Sequence, residues 1–190
     1  AILKGLDGLD VQKAYEAMKA SAMHDQQGLK SYKKRGYVSQ EVRNWNVSLT
    51  LEYAFDDWCI AQISKKLGQE EEYNYFIKRS QNYRNHYDSK TGFMRSKDST
   101  GQFRASFDPN AYSPDDYCEA NAWHYNWYVP QDVEGLIELT GGSEAFEVLL
   151  DSMFRTSPTV DDSHDWISGN IGQYVHGNEP SHHVPYLYQF

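Results

Sequence analysis

Residues 47–67 read VSLTLEYAFDDWCIAQISKKL. Leu51, Ala54, Phe55, Trp58, Ile63 and Leu67 recur at the spacing that places them on one helical face, and Gly68 stops the run. Upstream, residues 10–23 repeat the pattern with Val11, Ala14, Tyr15, Met18 and Ala22, and Asp10 is placed to cap the N-terminus. Downstream, residues 70–86 carry Tyr73, Phe76, Ile77 and Tyr83 at helical spacing, with three Glu at the start, where the helix dipole favours negative charge. Further helices are predicted near 119–128, at 130–140 with Pro130 in the first turn and Gly141-Gly142 at the end, at 143–154 behind Ser143 as cap, and from about Pro180. The segments between them read as connections. Residues 25–46 are polar with Gly and Tyr, 88–107 form a long loop with two Gly turns and a small β-hairpin around Gly92 to Phe103, and 155–172 are polar loop. Paired helices with alternately short and long connections predict an all-α fold of stacked helical hairpins.

Composition narrows the function classes. The 190 residues suit one domain or a large piece of one, and 39% are hydrophobic and 15% aromatic, enough for a real core. Eighteen basic against 27 acidic residues give a formal charge of −9, which argues against a nucleic-acid partner. No apolar run is long enough to span a membrane or to form a signal peptide. Cys59 and Cys118 have neither a disulfide framework nor metal-ligand spacing, so two buried thiols are expected.

Residues 116–132, DYCEANAWHYNWYVPQD, concentrate the chemistry. They bring Glu119, Asn121, His124, Trp123, Trp127, Tyr125 and Tyr128 into one short segment. Flat rings beside a carboxylate suit an enzyme acting on sugars, because rings stack on the C–H face of a sugar and a carboxyl group moves a proton at the glycosidic oxygen. The same composition also describes an aromatic helix buried in a core. Asp115 and Asp116 would raise the pKa of Glu119 if they lie close, as a general acid at neutral pH requires, or they simply decorate a helix N-terminus.

Two other clusters carry candidates. His176-Gly177-Asn178-Glu179-Pro180-Ser181-His182-His183 sets amide and carboxylate oxygens side by side on a tight turn, which suits calcium; its His spacing fits no standard zinc motif, and helix capping would explain the polar residues as well. Asp56-Asp57 resembles half of a magnesium–diphosphate site, but the fuller acidic cluster such a site needs is missing. A helix-end or loop-anchoring role is the simpler expectation.

Taken together, GYVS, SLTLEYAFDDWCIAQISKKLG, RSQNYRNHYDSKTGFMRSKDSTGQF, FDPN, CEANAWHYNWYVPQDVEGLIELTGG and IGQYVHGNEPSHHVPYLY, in this order, resemble the alpha-mannosidases of glycoside hydrolase family ninety-two over nearly the whole chain. The resemblance implies a calcium-dependent, inverting exo-α-mannosidase that removes terminal mannose from glycans, usually exported to the periplasm, cell surface or medium. It implies an (α/α)6 catalytic barrel, of which residues 1–190 would be the central part, without the N-terminal β-sandwich and the C-terminal barrel portion. Glu119 matches the general acid of the family's E-G-N-A-W motif, with Ala120 where the family has Gly. Asn178 and Glu179 match the segment near calcium. Trp123, His176, His182 and His183 are the matching substrate-side candidates. The Gly177 position weakens the case for α-1,2 linkages. The family's general base lies on an acidic segment that this chain does not contain, so the chain alone is expected to be inactive, and helix faces left uncovered would favour self-association. A non-catalytic mannan-binding module that kept the aromatic platform is the alternative.

Overall fold

The computed structural model describes residues 2–5, 7–158 and 168–190. Helix α1 (Val11–Met23) opens on Asp10, whose carboxylate accepts the Lys13 N–H at 3.0 Å, the cap the sequence predicts. Helix α3 (Asn46–Lys66) is the longest element and lies against both α1 and α4 (Glu70–Arg79). It is buried on more than the one face predicted. Val47, Leu51 and Ala54 join one core while Ile60, Ala61 and Ile63 join another with Tyr15 and Phe76.

Helix α2 (Leu29–Arg35) forms inside the stretch read as a connection. Gly28 and Gly36 bracket it in left-handed backbone, at φ +85° and +82°. A Cβ at Gly28 would sit 2.8 Å from Val38 Cγ1, so glycine is needed there for space as well as for φ. Leu29 and Tyr32 are the buried anchors.

Helix α4 ends at Arg79, not near residue 86. Ser80 turns its hydroxyl back to the Ile77 carbonyl at 2.8 Å, and a 3-10 turn, Asn82–His86, follows. Tyr83 is still buried, which is why the apolar pattern runs on past the helix. The antiparallel pair β1 (Tyr87–Asp88) and β2 (Phe93–Met94) comes earlier than the predicted hairpin, and a single bridge, Lys97 to Phe103, closes the loop beyond it.

Helix α5 is one turn, Ala122–Tyr125. Helix α6 (Val133–Thr140) starts behind Asp132 rather than at Pro130, with the Asp132 carboxylate accepting the Gly135 N–H at 3.1 Å. Helix α7 (Ser143–Arg155) packs on α6 and places Ser143 inside its first turn, with Gly142 as the capping position. Of the predicted loop 155–172, residues 159–167 lie outside the described residues, and Asn170–Ile171 form β3 against β4 (Tyr174–Val175). Two 3-10 turns, Glu179–Ser181 and Val184–Gln189, stand where a final α-helix was predicted. The all-α class holds, with these two small sheets as its β content among the described residues. Cys59 and Cys118 are free and half-buried rather than fully buried.

Two imidazoles sit in this interior. His86 is fully buried, with Nδ1 2.6 Å from the Arg95 carbonyl and Nε2 3.0 Å from Thr50 Oγ1. The carbonyl only accepts, so Nδ1 carries the proton. Burial pushes the His86 pKa down to about 4 against the pull of that carbonyl, and burial does the same to His124 in α5. An unfolded histidine titrates near 6.5, so as pH falls the unfolded chain binds protons first. The stability held by each neutral ring is therefore full above about pH 6.5 and is lost towards pH 4, by about 3 kcal/mol per group. Asp57, whose carboxyl burial raises to about 6, acts with the opposite sign over part of that window. The informative comparison is thus between wild type and His86→Gln. Urea midpoints at pH 7.5 and 4.5 are expected to diverge less in the variant, and equal divergence would refute the assignment.

Candidate active site

Helix α5 is the centre of the candidate site, touching α3, β2, β4 and the turn at Glu179–Ser181. Asn121 caps it. Its Oδ1 accepts the His124 N–H at 3.3 Å, and its Nδ2 donates to Gln173 Oε1 at 2.9 Å. The amide of this motif is therefore used to start the helix and tie it to the 170–175 hairpin.

The aromatic residues of the segment turn inward. Trp127 is 0% exposed and Tyr125 2%, and Trp127 meets Phe146 edge-on at 5.5 Å. Trp123 is 7% exposed, crosses Phe93 at 4.7 Å and donates its indole N–H to Asn110 Oδ1 at 2.7 Å. Its ring is packed largely in the core.

Glu119 lies in the turn before α5 and is exposed. Its φ is +51°, in the left-handed region, where a side chain costs on the order of 1–2 kcal/mol. Such strain persists only when the surroundings over-determine it. Three contacts do so. Asn178 Nδ2 donates to the Glu119 carbonyl at 3.4 Å, the Cys118 N–H donates to Ser48 Oγ at 2.9 Å, and the Ser113 N–H donates to the Ala120 carbonyl at 3.4 Å. Tyr112 and Cys118 lie within reach of the Glu119 charge. Burial first, and that charge second, raise both of their pKa values. Asp116 is not free to act on Glu119. Arg104 holds its carboxylate at 2.9 Å, and Asn46 and Ser113 approach it as well.

The second cluster is joined to the first through Asn178, which is buried beneath the turn, whereas Glu179 is exposed. His176 and His182 are exposed and stacked, 5.1 Å between centroids, with Tyr174 OH 2.8 Å from His176 Nδ1 and His182 Nε2 2.9 Å from the His176 carbonyl. They border a cleft of about 490 Å3 with Tyr174, Ile171 and Tyr186. His183 is half-buried, donates Nε2–H to the Trp127 carbonyl at 2.7 Å, and has its pKa lowered by burial. It is tied to the segment just after α5 and does not line this cleft. Among the described residues no three His, Cys, Asp or Glu side chains converge as a metal cage. Asn178 and Glu179 supply hard oxygen donors of the type calcium takes, but fewer than the six to eight it needs.

Asp56-Asp57 is resolved differently from either expectation. Asp57 is 1% exposed and bound by Arg79 Nε at 2.9 Å and Tyr32 OH at 2.8 Å. The pair sits mid-helix and lines a second cleft of about 460 Å3 between α1, α2, α3 and α4, apart from Glu119 and the 176–183 cluster. Sequence reasoning missed Ser48 and Glu52 on α3, although polar residues four apart on a buried helix were a usable signal.

The whole chain, residues 1–190, matches the model of the glycosyl hydrolase family 92 catalytic domain. It superposes with a TM-score of 0.94 and 44% identity on the family GH92 alpha-mannosidase BT3965 from Bacteroides thetaiotaomicron in complex with mannoimidazole, covering 100% of this chain and 26% of that one. The GH92 inverting mannosidase BT2199 from the same organism gives a TM-score of 0.85 at 36% identity, covering 100% and 28%. An uncharacterized secreted glycosidase from Arthroderma benhamiae is 30% identical, over 97% of this chain and 27% of its own length. The chain thus spans about a quarter of the length of these relatives, and its helices are those of an (α/α)6 barrel family. It belongs to glycosyl hydrolase family 92.

Proposed function

We propose that this chain carries the proton-donating part of an inverting exo-α-mannosidase site that removes terminal α-linked mannose from glycans. The observation that carries the reading is the join between the two clusters. Glu119 stands exposed on a strained turn whose carbonyl is held by Asn178 of the GNEPSHH turn, the same turn whose His182 borders the cleft with His176. The solved relatives, an alpha-mannosidase with mannoimidazole and an inverting mannosidase, support the substrate class and stereochemistry of this reading.

In this reading Glu119 protonates the glycosidic oxygen as the bond to mannose breaks. His176 and His182 contact the sugar at the cleft, and His183 holds α5 through the Trp127 carbonyl. Inversion needs a second carboxyl group roughly 6.5–9.5 Å away to activate water. Asn178 Oδ1 and the Glu179 carboxylate are the residues that would hold calcium, which when bound engages sugar hydroxyls and favours ring distortion. The binding-module alternative loses ground because Trp123, Trp127 and Tyr125 are in the core. Export follows the family and the relative described as secreted, and among the described residues no helix is long and apolar enough to cross a membrane. Exposed Ile171, Tyr186 and Phe190 are the surface on which self-association would occur.

The test is mannose release from α-mannobioses by the full-length gene product, with and without a calcium chelator. Release that the chelator abolishes and added calcium restores is expected. A folded product that releases no mannose from any linkage would defeat the reading.

A further inference from the structure

The first turns of α3 hold the whole segment that leads into Glu119. The Trp45 N–H donates to the Asp115 carbonyl at 2.8 Å, the Val47 N–H donates to the Asp116 carbonyl at 3.1 Å, and Asn46 Nδ2 adds a second donor to Asp115 at 3.0 Å. These are N–H groups that a helix start leaves without intrahelical partners. In the same first turn, Ser48 Oγ accepts the Cys118 N–H at 2.9 Å. Ser48 is buried, so this bond lies out of water. Separately, the Tyr125 hydroxyl of α5 donates to Glu52 Oε1 at 2.9 Å, a second tie between α3 and α5.

We propose that Ser48 is a positioning residue that fixes the left-handed turn of Glu119 and so aims its carboxyl group at the leaving oxygen. The catalytic part of this statement rests on the general-acid reading above; the structural part does not. Ser48 fixes the turn from the α3 side and Asn178 from the other, so Glu119 is held between two elements far apart in sequence.

The experiment uses Ser48→Ala in the full-length gene product, with Ser48→Thr as the variant that keeps the hydroxyl. Two leaving groups are compared, α-mannobiose, whose alkoxide needs protonation, and a dinitrophenyl α-mannoside, whose phenolate leaves unaided. The expected result is a fall in kcat of about tenfold on mannobiose for Ser48→Ala, the size of one lost hydrogen bond. The dinitrophenyl substrate should change less than about twofold, KM should hold, and Ser48→Thr should recover most of the loss. An equal loss on both substrates, or none on either, would overturn the positioning role. Hydrogen exchange of the peptide containing Cys118 reads the clamp without any substrate. Its amide should exchange about tenfold faster in Ser48→Ala while α7 is unchanged. Unchanged exchange overturns the inference whatever the activity. Faster exchange in a product that hydrolyses no mannoside would uphold the clamp and defeat only the mannosidase reading.

Discussion

Glu119→Gln in the full-length gene product is expected to lower kcat on α-mannobiose about a hundred- to ten-thousand-fold, the range that a positioned general acid contributes. Gln matches Glu in size, so it can keep the turn at φ +51° and the Asn178 contact to the backbone, neither of which uses the carboxylate. What it lacks is the proton. Departure of a sugar alkoxide needs that proton, and departure of dinitrophenolate does not, so the loss should shrink sharply on the activated substrate. The limb of the pH profile that reports ionisation of the acid should disappear with it. Removing the negative charge should also let the Tyr112 and Cys118 pKa values fall, since that charge is one cause of their elevation. A thiol titration of Cys118 would detect this without substrate. Activity on mannobiose within about tenfold of wild type would remove Glu119 from the mechanism.

Helical periodicity made α1, α3 and the start of α4 legible, because each repeats apolar residues over several turns. It failed where tertiary contacts decide. The α2 sequence, LKSYKKR, has too few apolar residues for a pattern, and its limits come from two glycines in left-handed backbone. The end of α4 is hidden because Tyr83 keeps the apolar rhythm after the helix has broken. At the site, the two key segments were visible as clusters of polar and aromatic residues, but their geometry was not. Whether Trp123 and Trp127 face a sugar or a core depends on Phe93 and Phe146, which are distant in sequence. The left-handed backbone at Glu119 has no signature in the residue itself. Asp57 is the reverse case. An Asp-Asp pair on a helix reads as a solvated or metal-facing feature, and only the fold shows that one of the two is buried against an arginine.

That arginine carries the second large effect. Arg79→Met is expected to destabilise the fold by about 3–5 kcal/mol at pH 8, the cost of leaving one member of a buried ion pair without its partner. Asp57 is 1% exposed, and in the wild type two donors, Arg79 Nε and Tyr32 OH, hold its Oδ2. Even with them, burial raises its carboxyl to about 6. Without Arg79 the folded-state pKa rises further, while the unfolded value stays near 3.9. A carboxyl whose folded pKa is raised stabilises the fold most below its unfolded pKa, and that contribution is lost as pH rises through the folded value. The deficit of Arg79→Met should therefore be largest at pH 8 and should shrink by pH 5, where Asp57 is protonated and no charge is left buried. Adding Asp57→Asn to Arg79→Met should recover much of the loss at pH 8 and flatten the dependence, because a neutral amide can still accept from Tyr32. Urea unfolding of the two variants and wild type at both pH values measures each quantity. A loss below about 1 kcal/mol at pH 8, or a deficit that grows towards pH 5, would show that the pair is screened as a surface bridge is, and that the core of α2, α3 and α4 does not depend on it.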